Sequence, residues 1–91
     1  MIYVDDLKRT TPDDPTGGRW HYQRYCRLYA TKGEDELHWF AEILGLKRAY
    51  FVAVPGFPQY HLTATMRHHA LREGATAVSS GELCRIAGVL R

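Results

Sequence analysis

The sequence predicts an α/β domain: a small sheet of three to four strands, mainly parallel, with about three helices packed on it in a Rossmann-like order. Three observations predict it. β-forming runs at 2–4, 49–54 and 75–78 alternate with helical periodicity at 34–45, 63–74 and 79–90. Such alternation argues parallel pairing through right-handed crossovers. The first run, Ile2-Tyr3-Val4, is short and mostly apolar, as suits a strand buried on both faces. Finally, 91 residues with 45% hydrophobic and 24% charged side chains make one ordered domain with no room for a second core.

The elements follow in order. After the first strand, Lys8 to Gly18 reads as a flexible loop, because its Pro, Gly, Thr and Asp residues leave no periodicity. Residues 19–30 interleave aromatics with arginines; Tyr25, Leu28 and Tyr29 would line one face of a helical turn, but 25–30 is expected to be a strand or extended piece. Residues 34–45 form a helix, with Leu37, Phe40, Ala41 and Leu44 on one apolar stripe. Glu34, Asp35 and Glu36 suit the positive end of its dipole, and Gly45 suits a left-handed end. Ala49–Val54 is the second strand, stopped by Pro55-Gly56-Phe57-Pro58. Thr63 is placed to cap a half-exposed helix running through Met66, Ala70 and Leu71 to Gly74. Ala75–Val78 is a third short strand, and Ser79 with Glu82 fits a capping box opening the last helix, with Leu83, Ile86, Ala87 and Leu90 on its apolar side.

Composition narrows the setting. No apolar run approaches the roughly 20 residues needed to span a bilayer, so no membrane association is expected. No basic-then-apolar leader stands at the N-terminus, and Cys26 and Cys84 form no metal-type pair. A cytoplasmic protein with two free thiols is therefore expected. The formal net charge of +2 names no partner, but its distribution is uneven. Asp5, Asp6, Asp13 and Asp14 precede a stretch, 19–32, that holds Arg19, Arg24, Arg27 and Lys32 without an acid.

The candidate site follows from position. Ligands of open α/β sheets collect beyond the carboxyl ends of the strands, where Asp5 and Asp6 stand. A carboxylate there can hold a divalent metal such as Mg²⁺ or a catalytic water, and it can equally cap backbone N–H groups. Neighbours on an extended chain point to opposite sides, so the two acids cannot face one ligand without a turn. His61 is a candidate general acid or base in a loop, beside Gln59 and Tyr60. Arg67 lies one turn inside its helix, where it can clamp an anion. Arg19, Trp20 and Arg24, with Tyr60, offer rings and cations of the kind that nucleotides or single-stranded nucleic acid need. The same residue types dominate protein interfaces, and they also serve as core and solvated surface. His38 is expected to be a surface or partner-contact residue. No Walker, dinucleotide-binding or nucleophile-elbow motif is present.

Met1-Ile-Tyr-Val-Asp-Asp6, Cys26-Arg-Leu-Tyr-Ala30, Glu36-Leu-His-Trp-Phe-Ala41, and Leu62-Thr63 followed by Arg67 and Gly74-Ala75 together resemble the domain of unknown function 4031 family. The likeness covers nearly the whole chain and implies kinship with small bacterial and phage proteins, without a known chemistry. Where members of that family often show Cys-His, this chain has Cys26-Arg27, and where they often show His-Tyr-Asp it has Gln59-Tyr60-His61.

Two functions follow as expectations. The first is binding of a phosphorylated ligand, a nucleotide or a nucleic-acid end, at the strand ends, with metal-dependent phosphoester hydrolysis as its enzymatic form. The second is a non-enzymatic accessory protein that binds a protein partner or sequesters a ligand through segment 19–29. A homodimer would cover an exposed sheet edge.

Overall fold

The computed structural model describes residues 1–10, 20 and 22–88. Their sheet is mixed and mostly antiparallel, with β1 (Ile2–Val4), β2 (Lys8–Arg9), β3 (Arg24–Ala30), β4 (Phe51–Val54), β5 (Phe57–Leu62) and β6 (Thr76–Ala77). Three helices accompany it: α1 (Glu34–Leu44), α2 (Ala64–Arg72) and α3 (Ser80–Ala87), with a 3₁₀ turn at Arg48–Tyr50 before β4. The strand order is β4-β5-β3-β1-β6, and β2 also pairs with β3. Among the described residues only β1 and β6 run parallel, in the register Tyr3↔Thr76 and Val4↔Ala77.

The mainly parallel, Rossmann-like sheet of three to four strands is thus corrected to a six-stranded mixed sheet. One segment accounts for most of the difference. Pro55-Gly56 does not end a strand; it turns β4 back into β5, with Val54 opposite Phe57. Gly56 takes φ +75°, which with a preceding proline fits a type II turn. Pro58 is tolerated because the ladder to β3 begins only at Tyr60, where Tyr60 pairs with Leu28. A Cβ at Gly56 would meet no heavy atom within 4 Å, so Gly56→Ala carries only backbone strain. It is expected to cost about 1 kcal/mol in urea unfolding.

The other elements form where their residues direct them. Gly45 ends α1 in a left-handed cap, and Thr63 Oγ1 accepts the Met66 amide at the start of α2. Ser79 Oγ accepts the Glu82 amide, but Glu82 turns outward to Arg85, so only half of the capping box is made. Residues 8–10 are paired rather than looped, since Lys8 opposes Tyr25 and the Thr10 amide bonds Gln23. The rest of the expected loop, with Asp13 and Asp14, lies outside the described residues, as do Arg19 and Leu90.

Strand alternation sorts the side chains onto two faces. Ile2, Val4, Cys26, Leu28, Ala30, Tyr60 and Leu62 turn to one face and form the main core with Leu37, Phe40, Ala41 and Leu44 of α1 and Ala70 of α2. Asp5, Arg27 and His61 turn to the other, which α3 meets through hydrogen bonds to Arg27 and Asp5. His38 is no surface residue: its Nδ1 lies 2.7 Å from the Tyr60 hydroxyl, and its ring packs on Phe51 and Tyr60.

Candidate functional site: a cationic cluster on Asp5

The site begins with a register shift. Val4 pairs with Leu28 and Lys8 with Tyr25, so Asp5, Asp6 and Leu7 face only Cys26 and Arg27. The extra residue is a bulge, a device that re-aims side chains beside binding sites. Asp5 stays in the ladder, its amide donating to the Arg27 carbonyl at 3.2 Å, and its side chain is fully buried. Asp6 is exposed. The alternation of an extended chain has separated the two acids.

Buried carboxylates require partners. Asp5 Oδ1 accepts the Arg27 amide at 2.6 Å. Asp5 Oδ2 accepts Arg27 Nε at 2.7 Å, Lys8 Nζ at 2.6 Å and Ser80 Oγ at 3.3 Å. Lys8 Nζ also donates to Ser80 Oγ at 2.9 Å, tying β2 to the first residue of α3. From α2, Arg67 Nε donates to the Asp5 carbonyl at 2.8 Å. Among the described residues, the two terminal nitrogens of Arg67 make no hydrogen bond. Burial pulls the Arg27 guanidinium down, but the hydrogen bond and charge of Asp5 outweigh it and hold its pKa above the ordinary value. Arg27 also reaches the Cys84 Sγ at 3.8 Å and lies 5.0 Å from the centre of the Phe57 ring.

An aromatic row flanks the cluster. Lys8 Nζ sits 5.5 Å over the Tyr25 ring, which stacks on His61 with centroids 4.3 Å apart. Trp20 meets His61 and Tyr50 edge-on and donates its indole N–H to the Arg24 carbonyl. A separate cleft of about 580 Å³ opens between the end of α1 and the start of α2, lined by Tyr22, Leu46, Lys47, Tyr50, Thr63 and Met66 among others.

The candidates named from sequence therefore divide. Asp5 and Arg67 meet directly, and His61 pairs in register with Arg27 beside them. His61 is buried on β5 rather than set in a loop. Tyr60 faces α1 and stands on the far side of the sheet from the Asp5 side chain. Trp20 is buried, Arg24 is exposed opposite Arg9, and Arg19 lies outside the described residues. Lys8, Arg27, Ser80 and Cys84 were missed. Strand alternation through 25, 27 and 29 was the one available signal, and it points Arg27 to the face opposite the core.

A divalent cation does not fit this donor set. Both Asp5 oxygens already accept hydrogen bonds, two of them from cationic side chains, and Asp6 is exposed rather than buried beside it. Among the described residues, no group of three or more His, Cys, Asp or Glu side chains could hold a metal ion.

A family model matches residues 2–89. The chain belongs to that family, described as protein of unknown function (DUF4031). Two of the segments that carry the family resemblance, Met1–Asp6 and Cys26–Ala30, are the strands that build the Asp5 cluster, and Arg67 adds the third. No curated protein matches the chain. Nor does any solved structure. Among the described residues, no helix is long and apolar enough to cross a membrane.

Proposed function

We infer that the chain binds a phosphorylated ligand, a nucleotide or a nucleic-acid end, at the carboxyl ends of β1 and β6. The observation that carries this reading is Arg67. Its Nε is fixed on the Asp5 carbonyl, which presents the remaining guanidinium edge as a fork at the strand ends. Lys8 and Arg27 stand beside it, so among the described residues three cations gather around the one buried carboxylate of Asp5, and positive charge is in excess. Parallel pairing of β1 with β6 supports the same place, since the strand-end rule for ligands applies to parallel strands. The Tyr25–His61 stack offers an apolar flank for a base.

The protein-partner reading of segment 19–29 has less support, because Trp20 is buried and Tyr25 is stacked on His61, leaving Tyr22, Gln23 and Arg24 as the exposed ones among its described residues. Titration calorimetry with inorganic phosphate, adenosine monophosphate, and matched oligonucleotides ending in 5′-phosphate or 5′-hydroxyl tests the proposal. The phosphorylated forms are expected to bind, and Arg67→Gln is expected to weaken them about tenfold to a hundredfold, the range of a charge-assisted hydrogen bond. Equal affinity for the 5′-hydroxyl oligonucleotide would overturn it.

A further inference from the structure

The outer side of α1 carries two large apolar side chains that the fold does not use. Trp39 is 60% exposed and Ile43 44% exposed, although the other face of the same helix buries Leu37, Phe40, Ala41 and Leu44. Positions 39 and 43 are one turn apart, so the two form a stripe along the helix. Exposed tryptophan is the residue type most enriched at the centre of binding surfaces.

Charge decides what kind of surface would cover it. At 100° per residue, Asp35 and Glu42 flank the Trp39–Ile43 stripe on one side, while Glu36 on the other is already paired with the Met1 ammonium at 3.3 Å. Asp35 and Glu42 are exposed, and no basic residue stands in the last turn of α1. An apolar stripe bordered by carboxylates repels anionic lipid and nucleic acid. A second copy laid across it by two-fold symmetry would bring carboxylates against carboxylates.

We propose that the Trp39–Ile43 face of α1 docks a basic amphipathic helix of a partner protein, whose apolar side covers Trp39 and Ile43 and whose Lys or Arg side chains pair with Asp35 and Glu42. The surface stands apart from the Asp5 cluster, so the two proposals fail independently. At 11 residues, α1 offers three turns, enough to match a short helix in an antiparallel or crossed arrangement.

The test uses a fluorescein-labelled synthetic helix with leucines at i, i+3, i+4 and i+7 and lysines elsewhere, beside the same peptide with glutamates for lysines. Anisotropy is expected to rise for the lysine peptide and not for the glutamate one. Trp39→Ala should weaken binding at least about tenfold, and so should the pair Asp35→Lys with Glu42→Lys. All three positions are exposed, so an unchanged melting temperature confirms that the fold is intact. Absence of binding, or binding that ignores Trp39→Ala or favours the glutamate peptide, would overturn the proposal. So would Trp39-dependent self-association in sedimentation, which would give the face to a second copy, or Trp39-dependent partition onto anionic vesicles.

Discussion

Asp5→Asn is expected to remove about 3–5 kcal/mol of folding stability, the range for breaking a buried ion pair by deleting one partner. The amide is nearly isosteric, so no cavity contributes. It can still accept the Arg27 amide at one oxygen, but its NH₂ group would face Arg27 Nε and Lys8 Nζ, a donor among donors. Arg27 has a side chain only 13% exposed and would be left without its carboxylate. A domain of this size is stable by about 5–15 kcal/mol, so the variant should lie close to its unfolding midpoint in dilute buffer. Lys8→Met provides the contrast. Lys8 is 29% exposed and leaves the Asp5–Arg27 pair intact, so it should cost about 1 kcal/mol or less. Urea unfolding followed by circular dichroism reads both. Equal losses from the two variants would mean that the carboxylate does not hold the cluster together.

This dependence explains which parts of the molecule could be read in advance. α1, α2 and the opening of α3 rest on local rules: an apolar stripe at helical spacing, Thr63 and Ser79 as caps, Gly45 as a left-handed stop. Each involves residues a few positions apart, so the sequence displays the whole interaction. β5 was hidden because Pro58 and Gly56 imitate a loop. What overrides them is the position of β5 between β3 and β4, a tertiary fact. Losing β5 turned an antiparallel hairpin into a crossover and made the sheet look parallel, and it also placed buried His61 in a loop. The site was legible to the same degree. Asp5 at a strand end and its separation from Asp6 follow from period-two geometry. The partners of Asp5 are another matter. Lys8 meets it through a bulge, Arg27 through antiparallel pairing, and Ser80, 75 positions away, through the parallel pairing of β1 with β6. Sheet topology decides all three, and no local pattern of residues displays it.

The second large effect appears in alkali and comes from Cys26. This thiol is fully enclosed on the core face of β3, where burial, with the charge of Asp5 acting in the same direction, pushes its pKa from 9.0 up to about 12. Arg67, Lys8 and Arg27 pull the other way without offsetting it. Below pH 9 the thiol is protonated in the folded and unfolded chains alike, and its contribution to stability is complete. Above pH 9 the unfolded chain releases the proton while the folded chain keeps it. Stability therefore falls by about 1.4 kcal/mol per pH unit, until the folded thiol itself titrates near 12. The loss over that window approaches about 4 kcal/mol. Tyr60 and Tyr50, both raised from 10.0 by burial, add to the decline in its upper part. Urea midpoints between pH 8 and 11 for the natural chain and for Cys26→Ala separate the contributions. Every other titrating group acts on both proteins, so only the Cys26 term distinguishes their slopes. The variant should start lower, because it loses a buried sulfur, and then decline less steeply. Parallel slopes would show that the buried thiol does not couple to folding. Native-state reaction with a disulfide reagent gives the complementary reading: half-buried Cys84 should react directly, and Cys26 only when the sheet opens.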